Sequence, residues 1–142
     1  MLAESYYQLS PPYQLDQEYT KKAIEEFQAF IDFFPTNERV TEAETKISSL
    51  NEKLAEKEFN AAVIYAKMEY AKADLSYYQY IINSYHDTKF APLALYNKIQ
   101  IEIAREMNYD ILKDVSLFLE KYPDAPKADE IKELQAKLNA VE

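Results

Sequence analysis

An all-α fold of repeated, antiparallel helical hairpins is what this sequence predicts, and three observations predict it. The 142 residues contain no glycine, where average usage near 7% would supply roughly ten; a β-rich fold needs glycine at its tight turns. Tyr19, Ala23, Phe27, Phe30 and Phe34 recur at steps of four, four, three and four, which is one face of an α-helix. The ending of that run, FQAFIDFFPTN, returns in altered form as YYQYIINSYHDT from Tyr77 to Thr88 and as VSLFLEKYPDA from Val115 to Ala125. Phe30-Ile31, Ile81-Ile82 and Phe118-Leu119 are then equivalent, as are Phe34, Tyr85 and Tyr122.

The marker after the aromatic moves from Pro35 to His86 and then to Pro123, spacings of 51 and 37 residues. The second is close to the helix-turn-helix period of about 34 of tetratricopeptide repeats. The first is longer by an inserted stretch of helix, roughly Glu38 to Leu54. A hairpin of this size cannot bury its apolar face alone, so neighbours must stack. The expectation is one tetratricopeptide-like α-solenoid over 1–142: the end of one repeat at about 1–37, a second with the inserted helix at 38–88, a third at 89–125, and a capping helix at 126–142.

Each element has its own signals. Leu2, Tyr6 and Leu9 sit at i, i+4 and i+7 and read as the tail of a helix, broken by Ser10-Pro11-Pro12 because two prolines force an extended path. Asp16 can cap the next helix, which the Phe34-Pro35 pair ends, since proline cannot continue a helix. Thr36 or Asn37 can cap the helix after it, whose stripe is Ala43, Ile47, Leu50 and Leu54. The pattern restarts at Phe59, Val63, Ala66 and Tyr70, so a kink or short turn is expected at Lys57-Glu58. Ala73, Tyr78, Ile81 and Tyr85 form the next stripe. Thr88 can cap a helix from about Lys89 to Met107, with Pro92 tolerated in its first turn. Leu93, Leu95, Tyr96, Ile99, Ile101 and Ile103 lie on both sides of that helix, which predicts burial on both sides. Ile111, Val115, Phe118 and Tyr122 follow, and Pro123 stops the run. Pro126 suits the start of the last helix, with Ala128, Ile131, Leu134 and Leu138 on one face and charge elsewhere, as an end cap requires.

The formal net charge is −9, spread along the chain. Nucleic acid is disfavoured, because phosphates call for basic patches; a basic partner surface is favoured. Without cysteine the chain has no disulfide, thiolate or lipid-bearing Cys. No apolar run approaches a membrane span and no signal peptide opens the sequence. The start inside helical pattern reads as a fragment of a longer protein.

Catalysis finds little support. The one histidine, His86, stands where the other units carry proline and reads as a solvated loop residue. A metal site needs several ligands at set spacings, and only carboxylates remain to supply them. Glu25-Glu26 and Asp129-Glu130 are adjacent pairs, which do not face each other on a helix. A glycine-rich phosphate loop is impossible without glycine. No cofactor and no metal are expected. What remains is surface: Tyr65, Met68 and Ile64 fall off the core stripe of one helix, and Tyr77 and Tyr80 off the next. They either pack between neighbouring hairpins or form a partner surface, where Tyr and Met are enriched. Tyr65, Met68, Tyr77 and Tyr80 are the candidate partner-binding residues.

The wording of three phrases carries more. YYQLSPPYQLDQEYTKKAIEEFQAFIDFFPTN, ISSLNEKLAEKEFNAAVIYAKMEYAKADLSYYQYIINSYHDT and LEKYPDAPKADEI resemble the BamD (YfiO) family of outer-membrane assembly lipoproteins. The S-P-P-Y-x-L-D-Q-x-Y-T stretch at residues 10 to 20 is similar to the form found in Bacteroidetes, and L-A-x-K-E-F-x-x-A at Leu54 to Ala62 is the more general marker. The resemblance spans nearly the whole chain and corresponds to the C-terminal repeats of the family. It implies a non-enzymatic scaffold on the periplasmic face of the outer membrane, anchored through a lipidated N-terminal cysteine that this chain lacks. It also implies that these repeats contact the POTRA domains of the barrel-forming subunit BamA and, in some bacteria, accessory lipoproteins. The resemblance implies further that unfolded outer-membrane proteins are partners, their C-terminal targeting signal being received by the family's N-terminal repeats. His86 departs from the Tyr-Pro ending and should loosen one turn. Two other readings stand beside this one: another periplasmic tetratricopeptide adaptor similar to the Tol–Pal coordinator, and a hydrolase, which would need a concave pocket with convergent carboxylates.

Overall fold

The computed structural model describes residues 2–9, 17–68 and 71–140. Those residues form seven α-helices and no strand. They are α1 (Leu2–Leu9), α2 (Glu18–Phe33), α3 (Val40–Lys67), α4 (Ala71–Ser84), α5 (Phe90–Ala104), α6 (Asn108–Lys121) and α7 (Ala128–Ala140). The all-α, tetratricopeptide-like reading of the sequence holds. The chain divides into two compact units, 1–60 and 61–142.

In the first unit α1 lies antiparallel to α2, Tyr7 meeting Phe27 edge-on at 6.3 Å and Tyr6 stacking on Tyr19 at 6.1 Å. Ala3, Ala23, Phe27, Ala43 and Leu50 make the core, with Tyr6, Tyr7, Ile24, Phe30, Ile31 and Ile47 packed around it. Alanine at three of these five places lets the helices approach closely. Lys46 bridges to Glu4 and holds its ammonium 4.9 Å from the Tyr7 ring. The motif around residue 17 has a physical role here: Gln17 and Thr20 are both buried, and the Thr20 hydroxyl donates to the Gln17 side-chain oxygen as α2 begins.

In the second unit α4 packs on α5, α5 on α6 and α6 on α7. Asp74 near the start of α4 meets Arg105 just past the end of α5, and Tyr78 meets Asn97, which fixes α4 and α5 as antiparallel. Leu95 and Ile99 of α5 are fully buried, with Tyr78, Ile81, Val115, Phe118 and Ile131 from its neighbours. An apolar helix with its polar residues scattered is the one that suits a place between two others.

The three related phrases end in one turn, made three times. Phe34, Tyr85 and Tyr122 each donate their N–H to the carbonyl four residues back, at 2.9, 2.8 and 2.7 Å. Each carbonyl then accepts the N–H three residues on, from Asn37, Thr88 and Ala125, and those residues accept in turn from Val40, Ala91 and Ala128. Phe34 and Tyr122 share their backbone angles, φ −130 and ψ 59 against φ −128 and ψ 51. The polar caps differ. Asn37 accepts the Arg39 N–H, Thr88 donates its hydroxyl to the Tyr85 carbonyl, and Ala125 has no side chain to offer. The backbone bonds therefore define the turn, and the caps trim it.

Several expectations are corrected. Helix α3 runs unbroken through Lys57 and Glu58, since neither residue breaks a helix and the apolar stripe merely shifts: Leu54, Ala55 and Ala62 are buried, while Phe59, Val63 and Ala66 are half-buried. Tyr19 and Phe34, placed on the core face of α2 by spacing, are exposed, and Phe30 is half-buried; residues at helix ends have fewer neighbours to cover them. Leu2, Phe33 and Phe34 are exposed in the first unit, while Phe27 is sealed in its core with Ala3, Ala43 and Leu50. Helix α5 ends at Ala104, short of Met107, and Ile103 is exposed. The stop is a Schellman turn: Met107 donates to the Glu102 carbonyl and Glu106 to that of Ile103. Glu106 takes φ 55, the left-handed conformation usually given to glycine. Pro126 lies in the turn before α7 and not in its first turn. The expectations for residues 10–12, Asp16 and Tyr70, and for the side chains of Leu9 and Ala73, fall outside what is described.

Candidate partner-binding surface

Of the four candidate residues, the structure brings two together. Tyr65 on α3 and Tyr77 on α4 stack with ring centroids 5.0 Å apart and planes at 14°, and both are half-buried. Tyr80, one turn along α4 from Tyr77, is 47% exposed and meets Tyr85 edge-on at 5.8 Å. Met68 is 56% exposed in the turn that closes α3, its N–H bonded to the Ile64 carbonyl, and Ile64 is as exposed. Ile64 and Met68 share a helix face, as do Tyr77 and Tyr80. The result is a stacked pair of rings held between two helices, with Met68, Ile64 and Tyr80 open to solvent near it along the same helices. Rigid aromatic area with adaptable neighbours is the composition of protein-binding surfaces.

Spacing alone did not find the other exposed apolar residues. Phe33 and Tyr109 are each 79% exposed, and Leu112 and Ile103 are about as open as a surface leucine often is. Phe33 follows Asp32 on the outer side of α2, and its phase, one residue before Phe34, is the signal that could have marked it.

The adjacent acids Asp129 and Glu130 each have a partner of their own. Glu130 accepts from the Tyr96 hydroxyl at 2.7 Å and faces Lys127 at 3.7 Å; Asp129 faces Lys132. His86 is exposed, its Nδ1 2.9 Å from Asp87 on the adjacent residue, and its carbonyl accepts from the Tyr122 hydroxyl. Among the described residues no group of three or more His, Cys, Asp or Glu could hold a metal ion.

The buried acids were not anticipated, since a lone Glu in a helix looks like any surface Glu. Asp74 pairs with Arg105 at 3.2 Å. Glu102 is fully buried on α5 beside Asp114 of α6, and Lys98 reaches both, at 3.4 Å to Glu102 and 2.6 Å to Asp114. Burial, and then the neighbouring Asp114 carboxyl, push Glu102 up to about 8, with Lys98 opposing. At neutral pH Glu102 therefore keeps its proton, and Lys98 and Asp114 form the ion pair. Neither Glu102 oxygen finds a well-aligned hydrogen-bond donor among the described residues, and leaving a buried carboxylate so costs more than leaving a neutral carboxyl. Through the half-buried Lys98, the buried Glu102 and Asp114 join α5 to α6.

No helix among the described residues is long and apolar enough to cross a membrane. The YfiO family, described as outer membrane lipoprotein, matches residues 1–114. The outer membrane protein assembly factor BamD of Rickettsia prowazekii (strain Madrid E) is 26% identical over 123 residues, covering 87% of this chain and 49% of that protein. The chain thus spans about half the length of this curated relative. The match leaves the Tol–Pal alternative without support. With its helices, its thrice-made turn and a family match over most of its length, the chain belongs to the YfiO family of outer membrane lipoproteins.

Proposed function

We propose that this chain is a scaffold segment of the outer-membrane β-barrel assembly machine, without enzymatic activity, and that it docks the POTRA domains of a BamA-like partner through α3 and α4. The observation that carries the reading is the exposed Met68, Ile64 and Tyr80 alongside the Tyr65–Tyr77 stack, in a chain whose relative is named an assembly factor. The buried carboxyls of Asp74 and Asp114, each paired with a partly exposed cation of the same unit, support a structural role for the buried charge. Attachment to the inner leaflet of the outer membrane falls to a lipidated cysteine of the full-length protein, and accessory lipoproteins and unfolded barrel proteins are further partners in this reading.

The test is calorimetric titration of the chain with the POTRA domains encoded by the same genome. Met68→Asp and Tyr80→Asp, both at exposed positions, are expected to weaken binding by about tenfold or more each if they are central anchors, with thermal melting unchanged. Binding that is absent, or that ignores both substitutions, overturns the assignment of this face.

A further inference from the structure

The end of the last hairpin holds a cleft made of none of the α3–α4 residues named above. It is about 300 Å³ in volume and opens where the start of α5 meets the turn between α6 and α7. Pro92, Leu93, Ala125 and Pro126 wall it, and the buried Phe118 lies beneath them. The two charged residues that line it, Lys89 and Lys127, are both cationic. Their ammonium groups lie 5.4 Å from the Phe90 ring and 5.1 Å from the Tyr96 ring, so both are placed by ring contacts; Lys127 also faces Glu130 at 3.7 Å. The cleft is lined by carbon, the lysine stems included, and both of its charged residues are cations in a chain of net charge −9.

The first unit shows what is particular to this cleft. At the matching end of the α1–α2 hairpin, Phe30 stands where Phe118 stands here, and a shallower groove opens beside Leu2 and Phe33. The charged residue lining that groove is Glu26. Hairpin geometry therefore makes a groove in both of these hairpins, and of the two it is the last hairpin's that lysines line.

We propose that this cleft binds an extended acidic segment of a partner protein that carries one bulky apolar side chain. The volume lies at the small end of ligand sites and suits a side chain more than a whole acyl chain. The ring or branched side chain packs between Pro92, Leu93 and Pro126, above the buried Phe118, and neighbouring carboxylates pair with Lys89 and Lys127.

The probe is a blocked, fluorescein-labelled octapeptide with phenylalanine at its centre and aspartates on both sides, titrated with the whole chain and read by anisotropy. Two controls replace the aspartates by lysine or the phenylalanine by alanine. The acidic phenylalanine peptide is expected to bind at least about tenfold more tightly than either control, and to lose most of that affinity as salt rises from about 50 to about 500 mM. Lys89→Glu with Lys127→Glu is expected to reverse the preference towards the lysine peptide, with the circular-dichroism melt confirming the fold. Equal binding of the three peptides, salt-independent binding, or binding of laurate with the acidic peptide silent overturns the proposal. So does an acidic peptide that binds the wild type and the doubly reversed chain alike.

Discussion

Phe118 and Phe30 occupy equivalent places in two repeats, yet they are not energetically equal. Phe118 is fully buried between α5, α6 and α7, and Phe30 is half-buried beside an open groove. Phe118→Ala should cost about 3–5 kcal/mol, and Phe30→Ala clearly less, as read from urea denaturation of each variant. Glu102 makes a different prediction. Its folded-state carboxyl is raised to about 8 from an ordinary value of 4.5, so between those limits the native state binds a proton that the unfolded chain releases. That contribution to stability is complete below about pH 4.5 and is lost as pH rises through about 8. Glu102→Gln, which keeps a neutral side chain, should remove the decline, so melting temperatures measured from pH 5 to 9 should shift in favour of the variant as pH rises. A constant difference across that range would mean that Glu102 is ionised throughout.

At the scale of elements, the turn that ends α2, α4 and α6 is the unit of construction. Its bonds run from backbone to backbone, so it survives changes of cap from Asn37 to Thr88 to Ala125. Proline follows the aromatic in two of the three turns, Pro35 and Pro123, and His86 in the other. His86→Pro should therefore stabilise the fold by about 0.4–1 kcal/mol, chiefly by restricting the unfolded chain, and the Tyr122 hydroxyl keeps its bond to the carbonyl of residue 86. Differential scanning calorimetry decides this, and a lowered melting temperature would show that this turn departs from the other two in backbone angle. The turns were legible because aromatic-proline endings are local. The length of α3 was not, because a shift in apolar phase along one helix and a break between two helices write the same pattern.

On the scale of the whole molecule, the apolar stripes become three kinds of surface. Some are sealed, as with Ala23, Phe27, Ile99 and Ile131. Some are half-covered and stacked, as with Tyr65 on Tyr77. Others are left open, as with Met68, Tyr80, Phe33 and Tyr109. Because the chain carries a net charge of −9, docking of a basic partner should weaken as salt is raised, while the apolar part of the contact persists. Titrations with the POTRA domains at two salt concentrations measure both parts.

The sequence by itself determined the helices, the recurring turn and the family, because glycine content, apolar spacing and motif wording are properties of neighbours along the chain. Only the tertiary structure decided which residues of each stripe are covered, which acids are sealed inside, and where lysines line an apolar cleft. Helical phase gives the direction in which a side chain points but not whether another helix stands there. For Glu102 or Phe34, that second fact sets both the charge state and the exposure.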